Sequence, residues 1–355
     1  MTLVPFCKLA DPASYQACDW DLSQDLDGRT HWCDFFKRHF DTILKLGLEA
    51  AVARGSSQDD AVACARGAKA ELVTVFDDFL HHPEKFGRVT MLDIDTWRDE
   101  ILRKWGFPDA FIDLKNRENQ ATLPALPTIC AQIDALNGED QFRAVIEGVF
   151  AGNIFDMGAD ATAKAFLSGS PDFFTTRKTL PPRPWLIDDY DALARRCLSH
   201  VHRKAVFFID NAGSDFLLGA LPLARLLGRR GTRIVLAANE RPSLNDMTVH
   251  DVRAWWPRIA AVEPSFAELS IEVVSTGTGE PLIDLGEVSE ELNRASGDAD
   301  LVILEGMGRG VESNFTAQFT VDSLNIAMLK DPAVAGRIGG KIFDLVCRFV
   351  EAATS

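Results

Sequence analysis

The sequence predicts an α/β fold, with an open and mostly parallel sheet in the second half and a largely helical lobe before it. Three observations predict it. Short, mostly apolar runs at 206–209, 233–238, 271–274 and 299–304 read as buried strands. Helical segments separate these runs, as the crossovers of a parallel sheet require. Before about residue 183 apolar residues recur at helical spacing, and no convincing alternating strand is present.

Taken in order, residues 1 to about 28 read as an arm or loop, with Pro5, Pro12, Gly28 and several aspartates. A helix is expected from about His31 to Ala53, where Phe35, Phe36, Phe40, Ile43 and Leu44 repeat at helical spacing. A second runs from Ser57, a possible cap, to Leu80, and Pro83 closes it. Further helices are expected at 97–105, 109–117 and 140–150, with a turn at Leu123-Pro124-Ala125-Leu126-Pro127. In Ala151-Gly152-Asn153-Ile154-Phe155-Asp156, Asn153 and Asp156 are three apart, which puts both on one face of a helical turn. Such a turn is equally well a helix end with a glycine stop.

Pro181, Pro182 and Pro184 mark a change of architecture, and the segment 185–189 starts the next element. The strand at 206–209 is followed by a helix from about 215 to 229 that Pro222 should kink. Another helix is expected near 287–295, and the apolar segment 342–350 is either a strand or a closing helix. The lobe at 1–180 and the sheet region at 181–355 are expected to form one continuous unit, because no Gly/Ser linker separates them.

With 355 residues, 46% hydrophobic and 25% charged, the chain has the composition of a globular protein. A formal net charge of −15 argues against a nucleic-acid or anionic-membrane partner, but a local basic cluster can still hold a small anion. The seven cysteines are scattered and include no C-x-x-C, so inert thiols in a reducing compartment are expected. The first residues lack the pattern of a secretion signal and no run is long enough to span a bilayer, which makes a cytoplasmic location the expectation.

Function is read from where the polar groups fall. Asp210 and Asn211, Asn239, Ser275 and Thr276, and Glu305 all follow the ends of expected strands. A parallel sheet lines those ends along one edge, where open α/β folds bind ligands. Asp210, Asn211 and Asp246 together offer two carboxylates and an amide oxygen, hard donors suited to Mg²⁺ or Mn²⁺. Read blandly, the same aspartates are loop and cap residues. Glu305-Gly306-Met307-Gly308-Arg309-Gly310 has alternating glycines that would let backbone amides approach an anion, and Arg309 could grip a phosphate. Neither this segment nor Ser275-Thr276-Gly277-Thr278-Gly279 fits a P-loop or G-x-G-x-x-G pattern. Lys330 follows the apolar segment 324–329 and could reach the pocket, although a lone lysine is more often exposed.

Three motifs occur in one order: Phe208-Ile209-Asp210-Asn211-Ala212-Gly213-Ser214-Asp215, the segment 237–248 ending Leu244-Asn245-Asp246-Met247-Thr248, and Glu305-Gly306-Met307-Gly308-Arg309. Together they resemble the metal-dependent damage-control phosphatases, once a domain of unknown function. The Glu-Gly-Met-Gly-Arg segment is similar to the branch holding the C-terminal domain of type-4 pantothenate kinase and its stand-alone plant relatives. The resemblance runs from about residue 30 to 350 and implies a Rossmann-like fold.

It further implies that Asp210, Asn211 and Asp246 bind a divalent metal (Mn²⁺, Ni²⁺ or Co²⁺, with Mg²⁺ possible) and that Asn153 and Asp156 lie at the pocket. Arg309 and Lys330 would hold the phosphate, with Asn239 and the Glu305–Gly308 segment, 305–308, beside them. The family's usual Ser or Gly after Asp-Asn is Ala212 here, which puts a hydroxyl role at that position in doubt. The attacker is either water on the metal or a carboxylate such as Asp210 or Asp156, with Asp156 also the candidate general base. The implied substrate is a small phosphorylated metabolite, 4′-phosphopantetheine or an oxidised form of it. Alternatives are a sugar-phosphate phosphatase, an S-adenosylmethionine-dependent carboxyl methyltransferase using Gly277 and Gly279, and a non-catalytic metabolite-binding protein.

Overall fold

A computed structural model of the chain describes residues 2–153 and 177–353. Its first half is helical. Helix α1 (Leu26–Ala53) starts at Asp25, whose carboxylate caps the Gly28 N–H, and α2 (Gln58–His81) starts at Ser57, as its sequence position suggests. Then follow α3 (Met91–Lys104), α4 (Ile112–Thr122), α5 (Leu126–Asp134) and α6 (Gly138–Asn153). Helix α5 corrects the expected turn. Pro124 sits in a 3-10 turn and Pro127 in the first turn of α5, where a missing N–H breaks no helical bond, so the prolines start a helix here.

Two short strands, β1 (Leu3–Val4) and β2 (Ile187–Asp188), bracket this half; β1 corrects the expectation of an arm without strand. After β2 come α7 (Tyr190–Ser199), β3 (Lys204–Phe208), a π-helical turn (Asp215–Ala220) and α8 (Leu221–Arg229). The π-helical turn runs without a break into α8, so the helix expected over 215–229 is continuous and Pro222 follows directly on its π-helical part. The remainder is β4 (Arg233–Ala238), α9 (Val249–Val262), β5 (Ile271–Ser275), β6 (Val288–Ser289), α10 (Glu290–Ser296), β7 (Leu301–Glu305), β8 (Asp322–Met328), α11 (Pro332–Arg337) and β9 (Leu345–Val350).

Seven strands form one sheet in the order β2-β9-β8-β7-β3-β4-β5, and β1 pairs with β6 in a separate ribbon. All neighbours in the large sheet are parallel except β8 and β9. The chain runs outward from β3 through β4 to β5, then returns to β7 on the other side of β3 and runs outward again to β8. The strand order therefore reverses between β3 and β7, the topological switch point at which open α/β sheets carry their ligand crevice. Phe208 pairs with Leu304, so Asp210 comes level with Gly306 at that switch point, with Glu305 one residue before it.

Side chains alternate across the sheet. Ala205, Phe207 and Ile209 enter the core beneath α5, α6 and α8, while Val206 and Phe208 enter the opposite core with Phe6, Val274 and Leu292. A third core joins α1, α2 and α3 to Ala327, Leu329 and Val346 of the sheet's far side. The lobe thus packs against the edge where the strands end.

Candidate active site

Strand β3 delivers Asp210 and Asn211, both nearly fully buried. The loop after β4 returns beside them, with Met247 N–H donating to Asp210 O at 3.0 Å and Ala212 N–H to Asn245 O at 2.9 Å. These bonds set Asn211 opposite Asp246. The same loop holds Leu244 at φ +46°, a left-handed conformation uncommon for leucine. The lobe helps hold it: Arg98 of α3, buried over the Phe36 ring, donates to Ser243 Oγ at 2.9 Å and to Asp99 at 2.7 Å, and pairs with Asp95.

Arg309, in the π-helical turn after β7 (Gly308–Ser313), sends one guanidinium nitrogen to Asp210 and the other to Asp246 at 2.6 Å. It also donates to Asn239 Oδ1 at 3.2 Å, and Asn239 Nδ2 donates to Asp246 Oδ2 at 3.0 Å and to Glu280 O at 3.0 Å. Behind Asp210, Asn211 Nδ2 donates to Asp210 Oδ2 and to Asp215 Oδ2, both at 3.0 Å. Asn153, at the end of α6, reaches Asp215 at 3.2 Å and Asp210 at 3.4 Å. Glu305 is 1% exposed, and its carboxylate takes no hydrogen bond from a side chain among the described residues.

The charges explain the proton affinities. Burial, then Asp215 and Asp210, push the Glu305 carboxyl well above its ordinary range. Burial also raises Asp215, against Lys330 and the amides of Asn211 and Asn153. Burial lowers the Arg309 guanidinium, but Asp246 and Asp210 outweigh it and keep it charged. Asp95 is raised to about 7, first by burial and further by Asp99 and Asp246, with Arg98 opposing.

Asp210, Asn211, Asp246, Met307, Gly308 and Lys330 line a cavity of about 310 Å³, whose other wall is Trp32, Phe35, Phe36, Met91 and Leu282. Lys330 is 3% exposed and is one of this lining, the place the resemblance implied in preference to the exposure usual for a lone lysine. Asn153, Asn239, Glu305, Gly306 and Arg309 stand behind that lining. The open phosphate cradle expected from the alternating glycines is not what Gly306 and Gly310 form, since their N–H groups bond to Ile326 O and Gly306 O. Close approach explains Gly306 instead: φ is +88°, and a Cβ there would lie 2.0 Å from Asp210 Oδ2. Arg309 likewise bonds carboxylates where a phosphate contact was expected. Asp156 lies outside the described residues. Sequence reasoning missed Asp95, Arg98 and the α1 aromatics as cavity lining, and it read Asp215 only as a helix start.

Among the described residues no three His, Cys, Asp or Glu side chains are grouped around one ion position, and the Arg309 fork bridges Asp210 and Asp246. The donor chemistry nevertheless fits a cation. Asp210, Asp215, Asp246 and Glu305 gather four buried carboxylates with Arg309 and Lys330, and Asp215 Oδ1 and both Glu305 oxygens take no hydrogen bond from a side chain among the described residues. A divalent ion would offset this excess negative charge. Asp210, Asn211 and Asp246 would hold it once Arg309 releases one carboxylate.

An α/β crevice at a switch point, lined by buried carboxylates and a lysine, defines a site for a small ligand. Residues 52–346 match the Damage-control phosphatase ARMT1-like domain, and the chain belongs to that family. It is 34% identical to the damage-control phosphatase At2g17340 of Arabidopsis thaliana, with 98% of each chain covered. It is 36% identical to pantothenate kinase 2 of the same plant and 29% identical to the 4′-phosphopantetheine phosphatase of Mus musculus, with 98% of this chain covered in both cases. It spans 42% and 48% of those two proteins, about half of their length. A DUF89 family protein of Pyrococcus horikoshii shares the fold, with a TM-score of 0.62 at 19% identity over 89% of this chain and 96% of that one.

Proposed function

We propose that the chain is a metal-dependent phosphatase of a small phosphomonoester, 4′-phosphopantetheine or its oxidised forms being the favoured substrates. The observation that carries this reading is the carboxylate cluster of Asp210, Asp215, Asp246 and Glu305 at the β3/β7 switch point, opening onto a cavity that Lys330 also lines. The name of the mouse relative supports the choice of substrate. A divalent metal would supply the positive charge that offsets a bound phosphate and orients the attacking group.

The chain's own residues supply the rest. Asp210, Asn211 and Asp246 hold the cation, and Lys330 stabilises phosphoryl oxygens as charge develops on them. Arg309 takes a share in this step only when it releases a carboxylate. Trp32, Phe35 and Phe36 of α1 would face the part of the substrate beyond its phosphate. Asp95, with its proton affinity near neutrality, can hold or release a proton at the cavity wall.

The test is phosphate release from 4′-phosphopantetheine and from fructose 1-phosphate, with Mn²⁺, Ni²⁺, Co²⁺, Mg²⁺ or a chelator. Release that needs a metal and is faster from phosphopantetheine is the expected result. Faster release from fructose 1-phosphate would move the substrate to sugar phosphates. No release from folded protein under any metal would sink the proposal and favour methyl transfer from S-adenosylmethionine or binding without turnover.

A further inference from the structure

Helix α4 crosses behind the two chain segments that carry the candidate metal donors. One face of it, four residues apart, presents Lys115 and Asn119, which are 1% and 0% exposed. Asn119 Oδ1 accepts the Gly213 N–H at 2.7 Å, in the segment that follows Asp210 and Asn211. Its amide nitrogen touches Met247 Sδ at 3.7 Å, one residue past Asp246. Lys115 Nζ lies 3.5 Å from the carbonyl oxygen of Asp246 and pairs with Asp251 at 2.8 Å and Asp109 at 3.0 Å. Asp251 in turn accepts from Thr248 N–H at 3.0 Å and Thr248 Oγ1 at 2.8 Å, fixing the exit of the Asp246 loop into α9. Between Lys115 and Asn119, Glu118 presses on Gly213, where an added Cβ would come within 3.1 Å of its own.

A lysine buried this deeply is unfavourable unless its charge is paired. The two carboxylates keep it charged, and its place in the fold needs a reason beyond packing. Asn119 spans the two donor segments, accepting from Gly213 on one and touching Met247 on the other, while Lys115 holds the Asp246 segment through its carbonyl and through Asp251. We propose that Lys115 and Asn119 are positioning residues that set the separation of the Asp210-Asn211 and Asp246 segments, and so the affinity of the site for its cation. The inference rests on the metal reading above; neither residue lines the cavity.

The experiment is calorimetric titration of chelator-treated full-length protein with MnCl₂, for the wild type, Asn119→Ala, Lys115→Met and Lys115→Arg. Circular dichroism establishes that each variant is folded, and phosphate release at saturating Mn²⁺ gives kcat and KM separately. Loss of a group that orients a metal ligand weakens metal binding by about ten- to a hundredfold. That loss is expected for Asn119→Ala and Lys115→Met, with a lower kcat and a KM that moves much less, and Lys115→Arg is expected to restore most of the affinity. Folded variants that bind Mn²⁺ as the wild type does, even at a lower melting temperature, would make these residues structural alone and overturn the inference. If Lys115→Met does not fold, Asn119→Ala decides, because it removes an acceptor without stranding a charge. A wild type that binds neither Mn²⁺, Ni²⁺ nor Co²⁺ would overturn the metal reading and this inference together; wild-type binding with unaltered variants overturns this inference alone.

Discussion

At the scale of single residues, the site depends on contacts with no slack. Asp210 is held by Arg309, Asn211 and Asn153, and Gly306 fits against it only because it has no side chain. Gly306→Ala therefore places a methyl against a carboxylate oxygen in a conformation that alanine also disfavours, at a cost of roughly 1–3 kcal/mol from the backbone alone. The variant is expected to melt several degrees lower and to bind Mn²⁺ more weakly, both readable in one set of thermal scans with and without the metal. A melting curve and a metal-induced shift equal to the wild type would show that Asp210 is not so confined. Asp210 and Asn211 were legible in the sequence because polar residues at a strand end interrupt an apolar run, and Asp246 was legible only as a carboxylate in the loop that follows the next strand. The Arg309 bridge was not, since a glycine-flanked arginine carries no sign of whether it meets a phosphate or a carboxylate 99 residues away. Nor was the burial of Lys115, since isolated lysines usually belong to the surface.

At the scale of elements, α1 is joined to the segment that carries Lys330. His31 on α1 bonds Asp331 at 2.8 Å, and Asp331 caps α11 through the N–H groups of Ala333 and Val334. The hydrogen bond to Asp331 raises His31 above its ordinary value of 6.5, against a smaller opposing effect of burial. A histidine raised on folding contributes stability that is fully present below its unfolded value and is lost as pH rises through the folded one. The stability difference between wild type and His31→Asn should thus be largest below about pH 6.5 and shrink as pH rises past the raised value. Denaturant titrations at stepped pH would measure this, and a difference that grows with pH would contradict the pairing. Helices α1 and α2 and most strands were legible from period and caps. Helix α5 was not, because Pro127 at a first helical turn looks like Pro127 in a loop. Strand β8 was seen only as an apolar segment: Asp322, Ser323 and Asn325 break its pattern, and their burial depends on distant partners such as His202 and Gly310.

At the scale of the whole molecule, the fold does two things for the site. The sheet brings β3 and β7 together so that Asp210 and the Glu305-Gly306 pair emerge at one place, and the helical lobe walls the crevice with aromatic side chains while α3 and α4 brace its loops. The α/β rhythm and the shared edge of polar strand ends were readable from sequence, because both follow from local patterning. The lobe's grip on the loops was not, because it depends on tertiary contacts between segments over 90 residues apart. Among the described residues no helix is long and apolar enough to cross a membrane.

In the proposed function Asp210 and Asp246 are the working carboxylates of a metal-dependent phosphatase. Its most direct test is phosphate release from 4′-phosphopantetheine with Mn²⁺, measured side by side for the wild type, Asp210→Asn and Asp246→Asn, each shown to be folded. Chelator-sensitive release by the wild type and a fall of at least about a hundredfold in both variants are expected. Release that survives either substitution, or that ignores the chelator, would contradict it.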